Sequence, residues 1–151
     1  MASCAPVFVY PPSTTPACDV DAAGVIKAMN GDWAAFADDI TPPQDIDGDE
    51  DGQPQAQFEN AVVYVDIGPS DRFVFVSTQI LAVTCKGSAS SSIYGVGTVS
   101  DGTQSVQVFF IEDLTASASG QPPTKRLRLF GPHPYDSGTQ AVMGSESDSR
   151  D

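Results

Sequence analysis

Three carboxylates stand at every second position in one short acidic stretch, Asp47, Asp49 and Asp51, and Gly52 follows them. Carboxylate oxygens at this spacing, with a glycine to allow a sharp turn, suit a hard cation such as Ca²⁺. However, the position at which a calcium-binding loop needs its bidentate carboxylate is Phe58, which offers no ligand. The favoured interpretation is therefore a solvated acidic linker, with weak calcium binding by these three aspartates as an alternative.

Catalytic chemistry finds little support in the other reactive side chains. The one histidine, His133, lies between two prolines, where no packed neighbour is expected to position a general base. Cys85 ends a predicted strand, with neither a histidine nor an acid near it in the sequence. The sequence also lacks the nucleophile-elbow, P-loop, zinc-protease and dinucleotide-binding motifs. We therefore predict a protein that is not an enzyme and that needs no cofactor.

A short basic segment contrasts with the acidic background of the chain. It holds three of the seven Lys and Arg residues and consists of Lys125, Arg126, Leu127, Arg128, Leu129 and Phe130. One interpretation is a displayed motif that binds a protein partner or directs nuclear import. The other is an edge strand, in which the leucines point inward and the arginines face water to resist aggregation. The alternation of Leu and Arg favours neither interpretation over the other.

The formal net charge of the 151-residue chain is −13, from 20 acidic and seven basic residues. Such a charge opposes non-specific binding to nucleic acids and favours a protein partner with a basic surface. Single-stranded nucleic-acid binding remains an alternative because a small barrel can combine stacking aromatics with a basic groove. The residues for that alternative are Arg72, Lys86, Tyr94, Arg126 and Arg128.

The chain divides into five segments by composition. Residues 1–18 are predicted to be an extended, Pro-rich arm, and residues 41–57 an acidic linker. Between them, apolar residues recur at spacings of three and four, which predicts a helical segment over 19–40. Asn30-Gly31 is expected to divide that segment into two shorter helices. Residues 131–151 are predicted to be a flexible polar tail.

Residues 58–130 carry the predicted β domain. Several short β-branched runs follow one another closely, with turn signals such as Asp101-Gly102 between them. This pattern predicts a mainly β fold, a small barrel or sandwich of five or six strands, with an OB-like barrel favoured. The Gly95-x-Gly97 pair inside a strand indicates a bulge or a sharp bend.

The compartment is predicted from the cysteines and the apolar runs. Three widely spaced cysteines do not suggest a disulfide framework, which favours an intracellular location. The import-signal interpretation of the basic segment makes the nucleus the preferred compartment, with a virion as a further option. The longest apolar run, residues 108–111, is too short to cross a bilayer, so no membrane partner is expected. The leading hypothesis is a non-catalytic interaction or assembly subunit of a larger nuclear or viral complex.

Overall fold

A computed structural model describes residues 19–40, 61–87 and 89–144 of the chain. The described residues form nine β-strands and no helix. In chain order the strands are β1 (Val20–Lys27), β2 (Trp33–Ile40), β3 (Val62–Asp66), β4 (Phe73–Lys86), β5 (Ser90–Ser100), β6 (Ser105–Thr115), β7 (Thr124–Phe130), β8 (Tyr135–Asp136) and β9 (Gln140–Ala141). The prediction of a mainly β fold is confirmed.

The strands follow one another around a nearly closed antiparallel barrel. Each strand from β1 to β7 pairs with the next one along the chain. β8 pairs with the end of β7 and β9 with its start, so the two short strands share the eighth position. Two backbone hydrogen bonds between Val25 and Met143, of 3.0 and 2.9 Å, join β1 to the chain just after β9.

This strand order differs from the OB-like barrel favoured by the sequence. An OB-fold is a five-stranded Greek-key barrel, whereas this sheet is an eight-position meander of consecutive hairpins. The barrel also extends beyond residues 58–130. β1 and β2 come before that range, and β8 and β9 come after it, in the segment that composition assigned to a polar tail.

The helix predicted for residues 19–40 is replaced by the β1–β2 hairpin. Burial in β2 alternates with period two, and Ala34, Phe36 and Ile40 point inward. Two members of the predicted helical stripe, Met29 and Trp33, are instead 66% and 43% exposed. Asn30-Gly31 turns the chain between the strands, with Gly31 at a φ of 91°. Asn-Gly is a hairpin signal because its left-handed backbone matches the twist of paired strands.

Inward side chains from every long strand fill the barrel. The largest apolar and aromatic ones that are fully buried are Tyr64, Phe75, Phe110, Ile26, Ile40, Ile93, Leu127, Leu129, Val62 and Val99. The rings of Phe75 and Phe110 pack edge to face, with centroids 5.0 Å apart. Small barrels of about eight strands are just wide enough to be filled in this way.

The glycine pair of β5 lies directly beneath these two rings. A Cβ atom at Gly97 would stand 2.6 Å from the Phe75 ring, and one at Gly95 would stand 2.7 Å from the Phe110 ring. The predicted irregularity is present, but it lies on the neighbouring strand. The register of β4 shifts between Ser77 and Gln79, opposite this part of β5.

No helix in the described residues is long and apolar enough to span a membrane.

Candidate functional site

Three ionisable side chains meet inside the barrel, and we call them the buried triad. They are Lys125 of β7, Asp38 of β2 and Glu112 of β6, and all three side chains are 0% exposed. The Lys125 Nζ lies 3.1 Å from Asp38 Oδ2 and also contacts Glu112 Oε1. Strand alternation places all three inward, between apolar side chains two residues away on each strand. The triad therefore joins opposite parts of the barrel through its interior.

Aromatic rings enclose the triad and leave its oxygens poorly hydrogen-bonded. The Lys125 Nζ lies 3.9 Å from the centroid of the Phe36 ring and 5.9 Å from that of Tyr64. Asp38 Oδ1 and both oxygens of Glu112 have no hydrogen-bond partner. The contact between Glu112 and Lys125 is thus an ion-pair contact without hydrogen-bond geometry.

Burial shifts the pKa values of two triad members toward their neutral forms. It raises the pKa of Asp38 to about 6, although the charge and hydrogen bond of Lys125 oppose the shift. It lowers the pKa of Lys125 to about 8, although Asp38 opposes this shift too. Desolvation therefore outweighs the attraction between the two charges.

Of the triad, only Lys125 was predicted as a site residue, and its two partners were not. It was predicted as part of the basic segment, either displayed or in an edge strand, whereas its side chain is buried. Asp38 and Glu112 went unnoticed, although each stands at an inward position of an alternating apolar pattern. A charged residue between Phe36 and Ile40, or between Phe110 and Leu114, is the signal that would have found them.

The rest of the basic segment forms strand β7, which is paired on both sides. Leu127 and Leu129 are buried, as the strand interpretation requires. Arg126 donates to both carboxylate oxygens of Asp136, at 3.1 and 2.8 Å, and Arg128 donates to Asp113 at 3.0 Å. The segment is therefore an inner strand and not an edge, and its two arginines are matched by acids.

The residues named for nucleic-acid binding do not form one groove. Arg72 and Lys86 stand at opposite ends of the 14-residue strand β4, which at about 3.3 Å per residue places them roughly 45 Å apart. Both are exposed, and Arg72 adopts a φ of 32° at the turn before β4. Tyr94 is half-buried on β5, opposite Ile111. Their separation and the acids beside Arg126 and Arg128 do not favour the nucleic-acid alternative.

A second acidic group lies at one end of the barrel, and we call it the end cluster. Its ligand-type oxygens, from Asp32, Asp66 and Asp71, all lie within 4.8 Å of one another. The Asn30 side-chain amide donates to Asp66 at 3.2 Å and to Asp71 at 2.6 Å. The backbone amides of Ser70 and Asp71 donate to Asp32 at 3.0 and 2.9 Å. Protein donors thus satisfy these carboxylates, as they would have to in the absence of a cation.

The pKa values of the two buried carboxyl groups move in opposite directions. Burial raises the pKa of Asp66, and its hydrogen bond with Asp32 adds to the rise. Burial also acts to raise the pKa of Asp32. Hydrogen bonds from Asp71, Asp66 and Ser70 outweigh that effect, so the pKa of Asp32 is lowered. Asp66 therefore holds a proton more readily and Asp32 carries the charge.

We expect the Asp66→Asn variant to lose part of the pH dependence of folding. A raised pKa in the folded state means that the contribution of Asp66 is fully present below its unfolded pKa of about 3.9. That contribution to stability is lost as the pH rises through the folded pKa. The side-chain amide of asparagine does not ionise, so the variant lacks this loss. Urea unfolding from pH 4 to pH 7 should show a shallower decline for this variant than for the wild type. An Asp66→Asn variant with the wild-type slope would contradict the raised pKa of Asp66.

The end cluster connects to the core through two tyrosines. The hydroxyl groups of Tyr64 and Tyr135 are 2.6 Å apart, and that of Tyr135 donates to Asp66 at 3.5 Å. Burial raises the pKa of both tyrosines above the ordinary range. The two hydroxyls therefore stay protonated and fix the orientation of this end of the barrel.

Two further sequence predictions concern metal binding and catalysis. The calcium candidates Asp47, Asp49 and Asp51 lie outside the described residues. His133 packs against the ring of Phe73, with centroids 4.8 Å apart, so it has a packed neighbour that its flanking prolines did not suggest.

Cys85 is disulfide-bonded, which corrects the expectation that a disulfide would not form. The other two cysteines of the chain, Cys4 and Cys18, lie outside the described residues. Disulfides persist in oxidising compartments. The cysteines therefore no longer support the predicted intracellular location.

The outside of the barrel carries an apolar surface that we call the outer apolar face. Its most exposed members are Val74 and Val76 of β4 and Phe109 of β6, at 40%, 39% and 43%. Register places Val65 beside Val74, Val63 beside Val76, and Val96 and Phe130 on either side of Phe109. Seven apolar side chains from five neighbouring strands thus share one outer surface.

Comparison of the chain with models of protein families, with curated proteins and with solved structures finds no match.

Proposed function

We propose that this protein is a non-catalytic interaction module, which presents the outer apolar face of a rigid barrel to a protein partner. The observation that carries the proposal is the exposure of Val74 and Val76 of β4 and of Phe109 of β6, with Val96 on the strand between them. Contiguous apolar patches on a soluble domain commonly mark protein–protein contact sites. A side chain of the size of Phe109 is suited to anchor such a contact.

The chemistry of the partner follows from the charge of the whole chain. A net charge of −13 attracts proteins that carry basic side chains and repels acidic ones. The partner surface should therefore have an apolar centre that meets the outer apolar face and basic residues around it. In this arrangement the protein acts as an assembly subunit whose barrel supplies a stiff platform.

The triple variant Val74→Thr/Val76→Thr/Phe109→Thr tests this proposal. Threonine is β-branched and so suits a strand, but it removes apolar area from the contact. We expect the variant to bind a partner at least thirtyfold more weakly, since loss of hot-spot residues removes about 2 kcal/mol or more. The partner would be purified from an extract of the source organism, and its binding measured by titration calorimetry.

The matched control is Ile67→Thr, which removes an equally exposed apolar side chain, 53% exposed, from the loop after β3. This variant should bind the partner as the wild type does. Equal binding by the triple variant and the wild type would contradict the proposed surface. Turnover of a substrate by the purified protein, abolished by point changes in the barrel, would contradict a non-catalytic function.

A further inference from the structure

The buried triad contains one amine and two carboxyl groups, which makes a simple ion pair an incomplete description of it. With every group ionised, the fully buried site would carry an excess negative charge. Burying unpaired charge is strongly unfavourable, so at least one carboxyl group must keep its proton. The unpartnered oxygens of Asp38 and Glu112 point to the same conclusion, because a carboxylate in this place would lack donors.

A triad with one such proton is neutral overall and has two arrangements. In one, an ammonium group faces one carboxylate and one carboxylic acid. In the other, a neutral amine faces two carboxylic acids. The second arrangement contains no charged group. Because charged groups are less stable in a dry interior than in water, burial shifts the equilibrium toward this arrangement. Its members are a nucleophilic amine, an electrophilic carboxylic acid and a further acid that can move protons.

The geometry supports a reaction between these groups. The Lys125 Nζ lies 3.1 Å from Oδ2 of Asp38, so the amine stands directly beside the carboxyl group whose Cγ it would attack. Three strands fix the side chains in a packed core, so the two reactants are presented to each other at a high effective concentration. The rings of Phe36 and Tyr64 lie beside the amine and keep water from it.

We propose that Lys125 and Asp38 condense to form an intramolecular amide bond across the barrel, with Glu112 as the proton-transfer group. The lone pair of Nζ attacks Cγ of Asp38, and an N–C bond forms as the carbonyl electrons move to oxygen. Glu112 gives its proton to the departing hydroxyl group and takes one from Nζ. The C–O bond then breaks, one water molecule leaves, and Glu112 is restored. The reaction needs no oxidant, reductant or cofactor.

Asp38 is assigned as the acyl group because it is the carboxyl group that Lys125 meets in hydrogen-bond geometry. Glu112 is assigned to proton transfer because its Oε1 contacts Nζ, while its Oε2 has no hydrogen-bond partner. Condensation replaces a buried amine and acid by one neutral amide. Exclusion of water from the core favours the product, since hydrolysis would need that water again.

The mass of the full-length wild-type chain tests the proposal directly. After purification, reduction and denaturation, we expect the intact mass to be lower than the sequence mass by one water molecule. Digestion with trypsin should yield a branched peptide that joins Lys125 to Asp38, with no cleavage after Lys125. An intact mass equal to the sequence mass would overturn the proposal, whether or not any variant folds.

Another dehydration must be distinguished from this one. An Asp-Gly sequence can lose water by closing a succinimide, and Asp101-Gly102 is one such site in this chain. A loss of water found at an Asp-Gly bond of a peptide that is not joined to another, with normal cleavage after Lys125, would therefore count against the amide. Loss of water within the single tryptic peptide 87–126, with Lys125 joined to Glu112 in an internal loop, would overturn the assignment of Asp38 as the acyl group.

Three variants assign the roles of the triad members. Lys125→Met and Asp38→Ala should each show the full sequence mass of the variant. Glu112→Gln should retain both reactants and condense at least tenfold more slowly, as measured by intact mass over time after refolding. Lys27→Met, which changes an exposed lysine of β1, is the control and should lose water as the wild type does. Condensation of Glu112→Gln at the wild-type rate would overturn the role given to Glu112.

Discussion

The Lys125→Met variant should lower the free energy of unfolding by about 3–5 kcal/mol, a large share of the stability of a small domain. Methionine preserves most of the volume of lysine but removes its Nζ, so neither an ion pair nor an amide bond with Asp38 can form. Asp38 and Glu112 would then face each other in the core without a positive partner. Urea unfolding at pH 7, followed by tryptophan fluorescence of Trp33 and by circular dichroism, measures the change.

Two comparison variants separate the charge effect from a general sensitivity of β7. Arg126→Met removes a cation from the same strand, but its ion pair with Asp136 is about one-third exposed. Exposed pairs contribute about 0–1 kcal/mol, so this variant should stay close to the wild type. The triple variant Lys125→Met/Asp38→Val/Glu112→Met replaces all three charges by apolar groups and should recover stability relative to the single variant. A single variant as stable as the wild type would contradict the prediction.

The inward and outward faces of a strand could be predicted from the sequence where polar and apolar side chains alternate within that strand. In β6, Val106, Val108 and Phe110 alternate along the sequence with Ser105, Gln107 and Phe109, which is the pattern of a half-buried strand. The structure buries Val108 and Phe110, packs Val106 against the core and exposes the other three. The Leu–Arg alternation of β7 was likewise predicted correctly. In both strands a period of two identifies the inward face without knowledge of the partner strands.

The prediction of secondary structure from apolar spacing was wrong where one segment fits both a helical and a strand period. In residues 19–40, Val25, Met29, Trp33 and Phe36 satisfy a helical spacing, while Ala34, Phe36 and Ile40 satisfy a strand spacing. The tertiary pairing of β2 with β3 selects the second pattern. Asn30-Gly31 is typical both of a helix break, as predicted, and of a hairpin turn, and the pairing of β1 with β2 shows that it is a turn.

The buried triad depends on contacts that no local pattern contains. Asp38 and Lys125 are 87 positions apart, and their contact requires the register of the strands that lie between them around the barrel. Similarly, the basic segment could be recognised as a strand, but not as an inner one. Its status depends on β8 and β9, which are two residues long each and lie in a stretch rich in Gly, Pro and Ser.

The Gly97→Val variant should lower the free energy of unfolding by about 3 kcal/mol or more. Glycine normally weakens a strand, so a larger side chain would be expected to stabilise β5 if there were room for it. Here the new Cβ would lie 2.6 Å from the backbone oxygen of Val76, as well as from the Phe75 ring. The ring can turn aside, but the paired backbone of β4 cannot move without breaking its register with β5.

The neighbouring residue supplies the control for that prediction. Thr98 lies next to Gly97 on β5 but points to the outside of the barrel, where it is partly exposed. Thr98→Val preserves the shape of the side chain and should change stability by no more than about 0.5 kcal/mol. Thermal unfolding of the two variants beside the wild type measures the difference. A Gly97→Val protein as stable as Thr98→Val would contradict this prediction. It would mean that β4 and β5 do not approach as closely as the packing of Phe75 on Gly97 requires.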